Sequence, residues 1–120
     1  MDNINKRKLG SKKEQEAANF LKTKGYSIKE LNFQCRMGEI DIVATKEEYL
    51  VFVEVKYRST INQGFPEEAV HFKKQKSISK VAAYYLMKHG IWDNVNIRFD
   101  VVVIYKNEMK LIEHAFEYIQ

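Results

Sequence analysis

Two apolar runs, Ile40–Ala44 and Leu50–Tyr57, stand five residues apart, and neither alternates in polarity along its length. Runs of that kind read as central β-strands covered on both faces, here about 39–45 and 49–57. Each nevertheless carries an acid, Asp41 in the first and Glu54 in the second, and Lys56 follows Glu54 by two positions. Charged side chains are almost never buried unless they are paired or bound to a metal. A chain that places them there needs a reason for doing so.

Register supplies one. A hairpin whose turn centres between Glu47 and Glu48 sets Asp41 opposite Glu54 and Glu39 opposite Lys56, with all four side chains expected on one patch. A second Glu-x-Lys triplet, Glu108-Met109-Lys110 with Asp100 upstream, serves as an internal control. A turn at Lys106-Asn107 sets Asp100 opposite Glu113 and leaves Glu108 at the turn, roughly 20 Å of strand from Asp100. Surface chance explains that triplet, and Asp100 reads as structural.

Like charges facing each other across a sheet repel. Mg²⁺ or Mn²⁺ would compensate them, because hard cations take carboxylates, main-chain carbonyls and waters. Asp41, Glu54 and the Val55 carbonyl make such a set, with Lys56 beside it, an arrangement suited to metal-assisted hydrolysis of a phosphodiester. On spacing alone, a buried ion-pair network that fixes register accounts for the same residues equally well.

The rest of the chain organises around these strands. The first ten residues, MDNINKRKLG, read as a basic, flexible arm, and 11–120 as one domain. A helix is expected from about Ser11 to Lys24 and a half-buried strand over 26–33. A second helix is expected from Pro66 to about Lys88, with core stripe Val70, Ile78, Val81, Ala82, Tyr85 and Leu86. A strand over 95–105 and a final strand after the Lys106-Asn107 turn complete an α-β-β-β-α-β-β order. The fold class is α/β, a central mixed sheet flanked by helices.

Net charge is +4, unevenly spread: residues 71–90 hold five lysines and no acid, and residues 1–30 hold eight Lys or Arg against four acids. Lys73, Lys76 and Lys80 line one helix face, which suits a polyanion, with DNA the expected partner. Solvated surface lysines explain the same pattern about as well. The single cysteine, Cys35, can form no internal disulfide, and no stretch approaches the ~20 apolar residues of a membrane span. A reducing cytoplasm is the expected setting. A homodimer is compatible with the sequence but not indicated by it.

Asp41 with Glu54-Val55-Lys56 resembles the core motif of the PD-(D/E)XK, or restriction-endonuclease-like, nucleases. The segments GSKKEQEAANFLKTKGYSIKELNFQCRMGEIDIVA, LVFVEVKYR, KKQKSISKVAAYYL and IRFDVVVIY together resemble the YraN family of small bacterial proteins, similar in fold to archaeal Holliday-junction resolvases. That resemblance implies metal ligation by Asp41 and Glu54 and a water or phosphate contact for Lys56. It also implies a helix glutamate at the metal. Lys13-Glu14-Gln15-Glu16-Ala17 matches that pattern, with Lys13 in place of its glycine, so Glu14 is the candidate. Gln75 matches a polar position flanking the site, and Arg58, at the end of the catalytic strand, could touch phosphate. The expected activity is a metal-dependent nuclease acting on DNA, with branched or damaged structures as candidate substrates. A nucleic-acid-binding accessory protein of the same fold, with little turnover, is the alternative.

Overall fold

The computed structural model describes residues 2–58, 70–91 and 94–120, with side chains from Lys12 onward. Helix α1 spans Asp2–Thr23 and helix α2 Phe72–Lys88. Strands β1 (Ser27–Cys35), β2 (Gly38–Lys46), β3 (Tyr49–Arg58), β4 (Asn96–Tyr105) and β5 (Glu108–Phe116) form one sheet in the order β1-β2-β3-β4-β5. Every neighbouring pair is antiparallel except β3 and β4, which run parallel and are joined through α2. The expected α-β-β-β-α-β-β order and mixed sheet are what the chain adopts.

The sheet separates two apolar layers, so β2 and β3 are covered twice, as their unbroken apolar runs require. On one face α1 places Ala17, Ala18 and Leu21 against Ile42, Ala44, Val51, Val53 and Val102. The small alanines let the helix lie close to the branched strand residues. On the other face α2 places Ile78, Val81, Ala82, Tyr85 and Leu86 against Phe33, Val43, Phe52 and Phe99. Tyr85 meets the edges of the Phe33 and Phe52 rings at 5.1 and 5.6 Å, a favourable T-shaped geometry.

Two boundaries and one register differ from expectation. Helix α1 starts at Asp2, so residues 2–10, expected as an arm, continue the helix; apart from Gly10 they include no helix breaker. Helix α2 starts at Phe72, not Pro66. Its first turn is fixed by the Gln75 N–H donating to the His71 carbonyl at 2.9 Å and the Gln75 carboxamide donating to the Val70 carbonyl at 2.8 Å. Pro66, Glu67 and Glu68 lie outside the described residues. The third difference is in register. Strands β4 and β5 pair as expected from Tyr105↔Glu108 to Val101↔Ile112, then slip so that Phe99 pairs with Phe116. The slip accommodates His114, whose φ of +53° is left-handed, and replaces the expected Asp100–Glu113 pairing.

Candidate active site

The β2–β3 hairpin keeps the expected register, Lys46↔Tyr49 through Ile42↔Val53, around a turn at Glu47-Glu48. The ladder then ends one position before Asp41 and Glu54. Instead of a main-chain carbonyl, the Asp41 carboxylate accepts the Val55 N–H, at 2.7 Å. The strands therefore fork at this point, and the Asp41 side chain fills the fork. In a strand the N–H and C=O of one residue leave on the same edge, so the Val55 carbonyl also faces the fork.

A change of face in β2 makes the fork possible. Ile40 belongs to the α2 layer with Val43, whereas Ile42 and Ala44 belong to the α1 layer. Residues two apart in a regular strand share a face, so β2 reverses at Asp41. Strand β1 reverses with it: Leu31 packs in the α1 layer and Phe33 in the α2 layer, with Asn32 at φ +54° between them. Asparagine tolerates that left-handed conformation better than most residues. Asp41 thus lies where acids arriving from both layers can reach it.

From the α2 side comes Glu54, 7% exposed. Its carboxyl is pushed up from 4.5 to about 8, first by burial and then by the hydrogen bond and negative charge of Asp41. Lys74 and Lys56 oppose that shift and are outweighed. From the α1 side comes Glu14, on the helix stripe that continues to Ala17, Ala18 and Leu21. Its carboxyl is raised from 4.5 to about 7 by burial, then by Asp41 and Glu39. Glu16 points outward and is exposed. An acid group raised towards neutrality by burial and a like charge is a frequent mark of functional sites.

The expected residues fall into groups. Asp41, Glu54 and Lys56 come together at the end of the hairpin, and the Glu14 carboxyl lies within reach of the Asp41 charge. Glu39, expected opposite Lys56, instead accepts a hydrogen bond from Gln34 at 3.2 Å, because the reversal of β2 turns it away. Among the described residues no three His, Cys, Asp or Glu side chains converge tightly enough to form a metal centre by themselves. Lys73, Lys76 and Lys80 are exposed on the outer face of α2, and Arg58 is half-buried at the end of β3. The Gln75 carboxamide nitrogen is engaged by Val70.

Lys74 is the residue that sequence reasoning missed. Its ammonium lies 3.5 Å from Glu54 Oε2. The signal was there in the spacing: positions 74, 78, 81 and 85 form one helical stripe, and its other three members are core. A lysine in that stripe points at the sheet, where the nearest acid is Glu54.

Asp100 occupies the other face of β4 and is fully buried. Arg98 grips it with two bonds of 2.9 and 2.8 Å, the Tyr26 hydroxyl donates to it, and the His114 N–H donates at 2.9 Å. The expectation that it is structural agrees with this enclosure.

A five-stranded mixed sheet between two helices, with a carboxyl pair at a fork between central strands, defines a single-domain α/β protein with an acidic candidate site. Residues 13–104 match the profile of the uncharacterised protein family UPF0102, and the chain belongs to that family, as its YraN-like motifs imply. A UPF0102 protein of Lachnoclostridium phytofermentans is 51% identical over 114 residues, covering 95% of this chain and 97% of the relative. Relatives from Caldanaerobacter subterraneus and Clostridioides difficile are each 44% identical, covering 92% and 94% of this chain and 90% and 100% of their own lengths. No helix among the described residues is long and apolar enough to cross a membrane.

Proposed function

We propose that the chain is a metal-dependent nuclease of restriction-endonuclease-like design that hydrolyses phosphodiesters in DNA. The observation that carries this reading is the fork: the Asp41 carboxylate seated on the Val55 N–H, against the Glu54 carboxyl, with Lys56 beside them. A buried carboxyl, a half-buried one and a main-chain carbonyl are hard oxygen donors, which suits Mg²⁺ or Mn²⁺. Asp41, Glu54 and Val55 would hold such an ion directly, and Glu14 would complete or orient the set from α1. When bound, the ion supplies Lewis acidity and lowers the pKa of water, which makes a nucleophile available at neutral pH.

The chain's own residues supply the rest. Occupation of the site requires Glu54 to give up the proton of its hydrogen bond with Asp41. The Lys56 ammonium orients the attacking water and faces the charge that develops on the phosphate. Lys73, Lys76, Lys80 and Arg58 offer positive charge to the sugar–phosphate backbone, and Gln75 positions the start of α2 beside them. The alternative, an accessory protein that binds nucleic acid with little turnover, draws support from the looser placement of Glu14: it feels the Asp41 charge, yet among the described residues no three His, Cys, Asp or Glu side chains group tightly enough to hold a metal ion.

A panel of single-stranded, duplex, flap and four-way-junction DNA, incubated with Mg²⁺ or Mn²⁺, tests the reading. The wild type is expected to cleave at least one member. Lys56→Ala is expected to abolish cleavage while DNA binding persists. Tight binding with no cleavage anywhere in the panel selects the accessory reading, and neither binding nor cleavage rejects both. Replacing Lys73, Lys76 and Lys80 with Ala should also flatten the salt dependence of binding, by about 0.9 in log–log slope for each phosphate that is no longer neutralised.

A further inference from the structure

We propose that Lys74 is a resident counter-cation of the Asp41–Glu54 pair, which a divalent metal must displace to occupy the site. The inference rests on the metal-site reading above and goes beyond it, since it assigns a role to a residue outside the Asp41…Glu54-Val55-Lys56 motif. Its basis is the contact between α2 and the fork. Lys74 approaches Glu54 Oε2 at 3.5 Å and its side chain is 43% exposed, whereas the Glu54 side chain is 8% exposed. A charge-assisted N–H···O bond closes to about 2.7–2.9 Å, so this ammonium faces the pair without being locked to it. Lysine is a compact, hydrated point charge on a flexible four-carbon stem, and one that can move away.

The other buried acid shows what a permanent counter-cation looks like in this protein. Arg98 holds Asp100 through two bonds of 2.9 and 2.8 Å, and its side chain is 12% exposed. Lys74 reaches its acid with one long contact from the solvent side, at the outer end of the stripe that enters the core at Ile78. The sequence places a releasable cation where the chemistry needs the charge balance to change.

The sign of the competition follows from charge. Before metal enters, the carboxyl pair facing Lys74 is negative, with or without the proton on Glu54. After a divalent ion enters, the net charge facing Lys74 is less negative by two, or by one if a proton leaves in exchange. In either case the ammonium loses attraction, so it opposes entry of the ion. Removing it should tighten metal binding by about three- to tenfold, as expected for one unit charge a few ångströms away that solvent screens nearly as in bulk water.

The test is a titration of the metal-free, full-length protein with Mn²⁺ alone, followed calorimetrically at near-neutral pH and low ionic strength. Lys74→Met removes the charge and keeps the length of the stem, and Lys74→Arg keeps the charge. The expected result is three- to tenfold tighter Mn²⁺ binding by Lys74→Met and wild-type affinity for Lys74→Arg. Binding by Lys74→Met where the wild type shows none supports the proposal as well. Equal or weaker binding by Lys74→Met, with a wild type that does bind, overturns the role of Lys74 and leaves the metal site standing. If neither protein binds Mn²⁺, the proposal falls together with the metal-site reading. Melting curves without metal confirm that both variants are folded.

Discussion

Two buried acids lie on neighbouring strands of one sheet and are treated in opposite ways. Asp100, on β4, is enclosed by Arg98, Tyr26 and the His114 N–H, and every bond it receives comes from a residue held in the sheet or beside it. Glu54, on β3, meets another acid and a loosely held lysine. The strands run parallel with Val53 beside Asp100 and Val101 beside Glu54, so the two acids emerge on opposite faces. A buried charge with a complete set of donors fixes structure, and it ties β1, β4 and β5 together here. A buried acid pressed by a like charge gives up stability instead, which suits the cation-binding role proposed for it.

The largest expected effect lies on the structural side. Asp100→Asn takes from the half-buried Arg98 its two-bonded counter-charge, leaving only the longer contact with Glu113 at 3.5 Å, and should cost about 3–5 kcal/mol in urea unfolding, unchanged by Mg²⁺. A loss below about 1 kcal/mol would mean that the enclosure of Asp100 does not hold the β4–β5 side together, and the contrast would collapse.

The second effect separates the two acids by pH. Folded Glu54 has its pKa near 8 against an ordinary 4.5, so between these values the native chain holds a proton that the unfolded chain has released. Stability should therefore be greatest near the lower value and decline as pH rises through the window, by up to about 1.4 kcal/mol per pH unit for one proton. Glu14, raised to about 7, adds in the same direction. Metal-free unfolding curves from pH 5 to 8.5 measure the slope. Glu54→Gln, which keeps the shape and cannot ionise, should flatten it; an equally steep slope in that variant places the proton elsewhere.

Asp41→Asn gives the third and smallest change. Asparagine retains an oxygen for the Val55 N–H and removes the charge that presses on Glu54. In EDTA the variant should melt at or above the wild-type temperature. With Mg²⁺ at ten times its dissociation constant the wild type should gain about 1.4 kcal/mol and the variant much less. If instead Asp41→Asn loses about 3 kcal/mol or more in EDTA and the wild type ignores metal, Asp41 behaves as Asp100 does and the candidate site is an ion-pair network.

Much of this organisation was legible in the sequence. The unbroken apolar runs of β2 and β3 required strands covered on both faces. The position of the Glu47-Glu48 turn then dictated the register that brings Asp41 to Glu54, and the same reasoning correctly kept Glu108 away from Asp100. The stripe Ile78, Val81, Ala82, Tyr85 and Leu86 marked the buried face of α2, and the helical period turned Glu16 away from Glu14, itself a candidate only through the resemblance to the family's helix-glutamate pattern. These features follow from local periodicity and turn length, which a sequence carries directly.

What the tertiary structure alone decided are the departures from periodicity. The ladder stops at Ile42↔Val53 because a side-chain carboxylate competes for the Val55 N–H, and the register by itself does not say which acceptor wins. The reversal of β2 at Asp41 needs a matching reversal of β1 at Asn32, a residue nine positions away whose left-handed conformation is offset only when both strands turn together. The slip at His114 depends on Asp100 accepting its N–H, and the partner of Lys74 on where α2 lands over β3. Each is a contest between groups distant in sequence for one hydrogen bond or one charge, and it is settled only when the sheet brings them together.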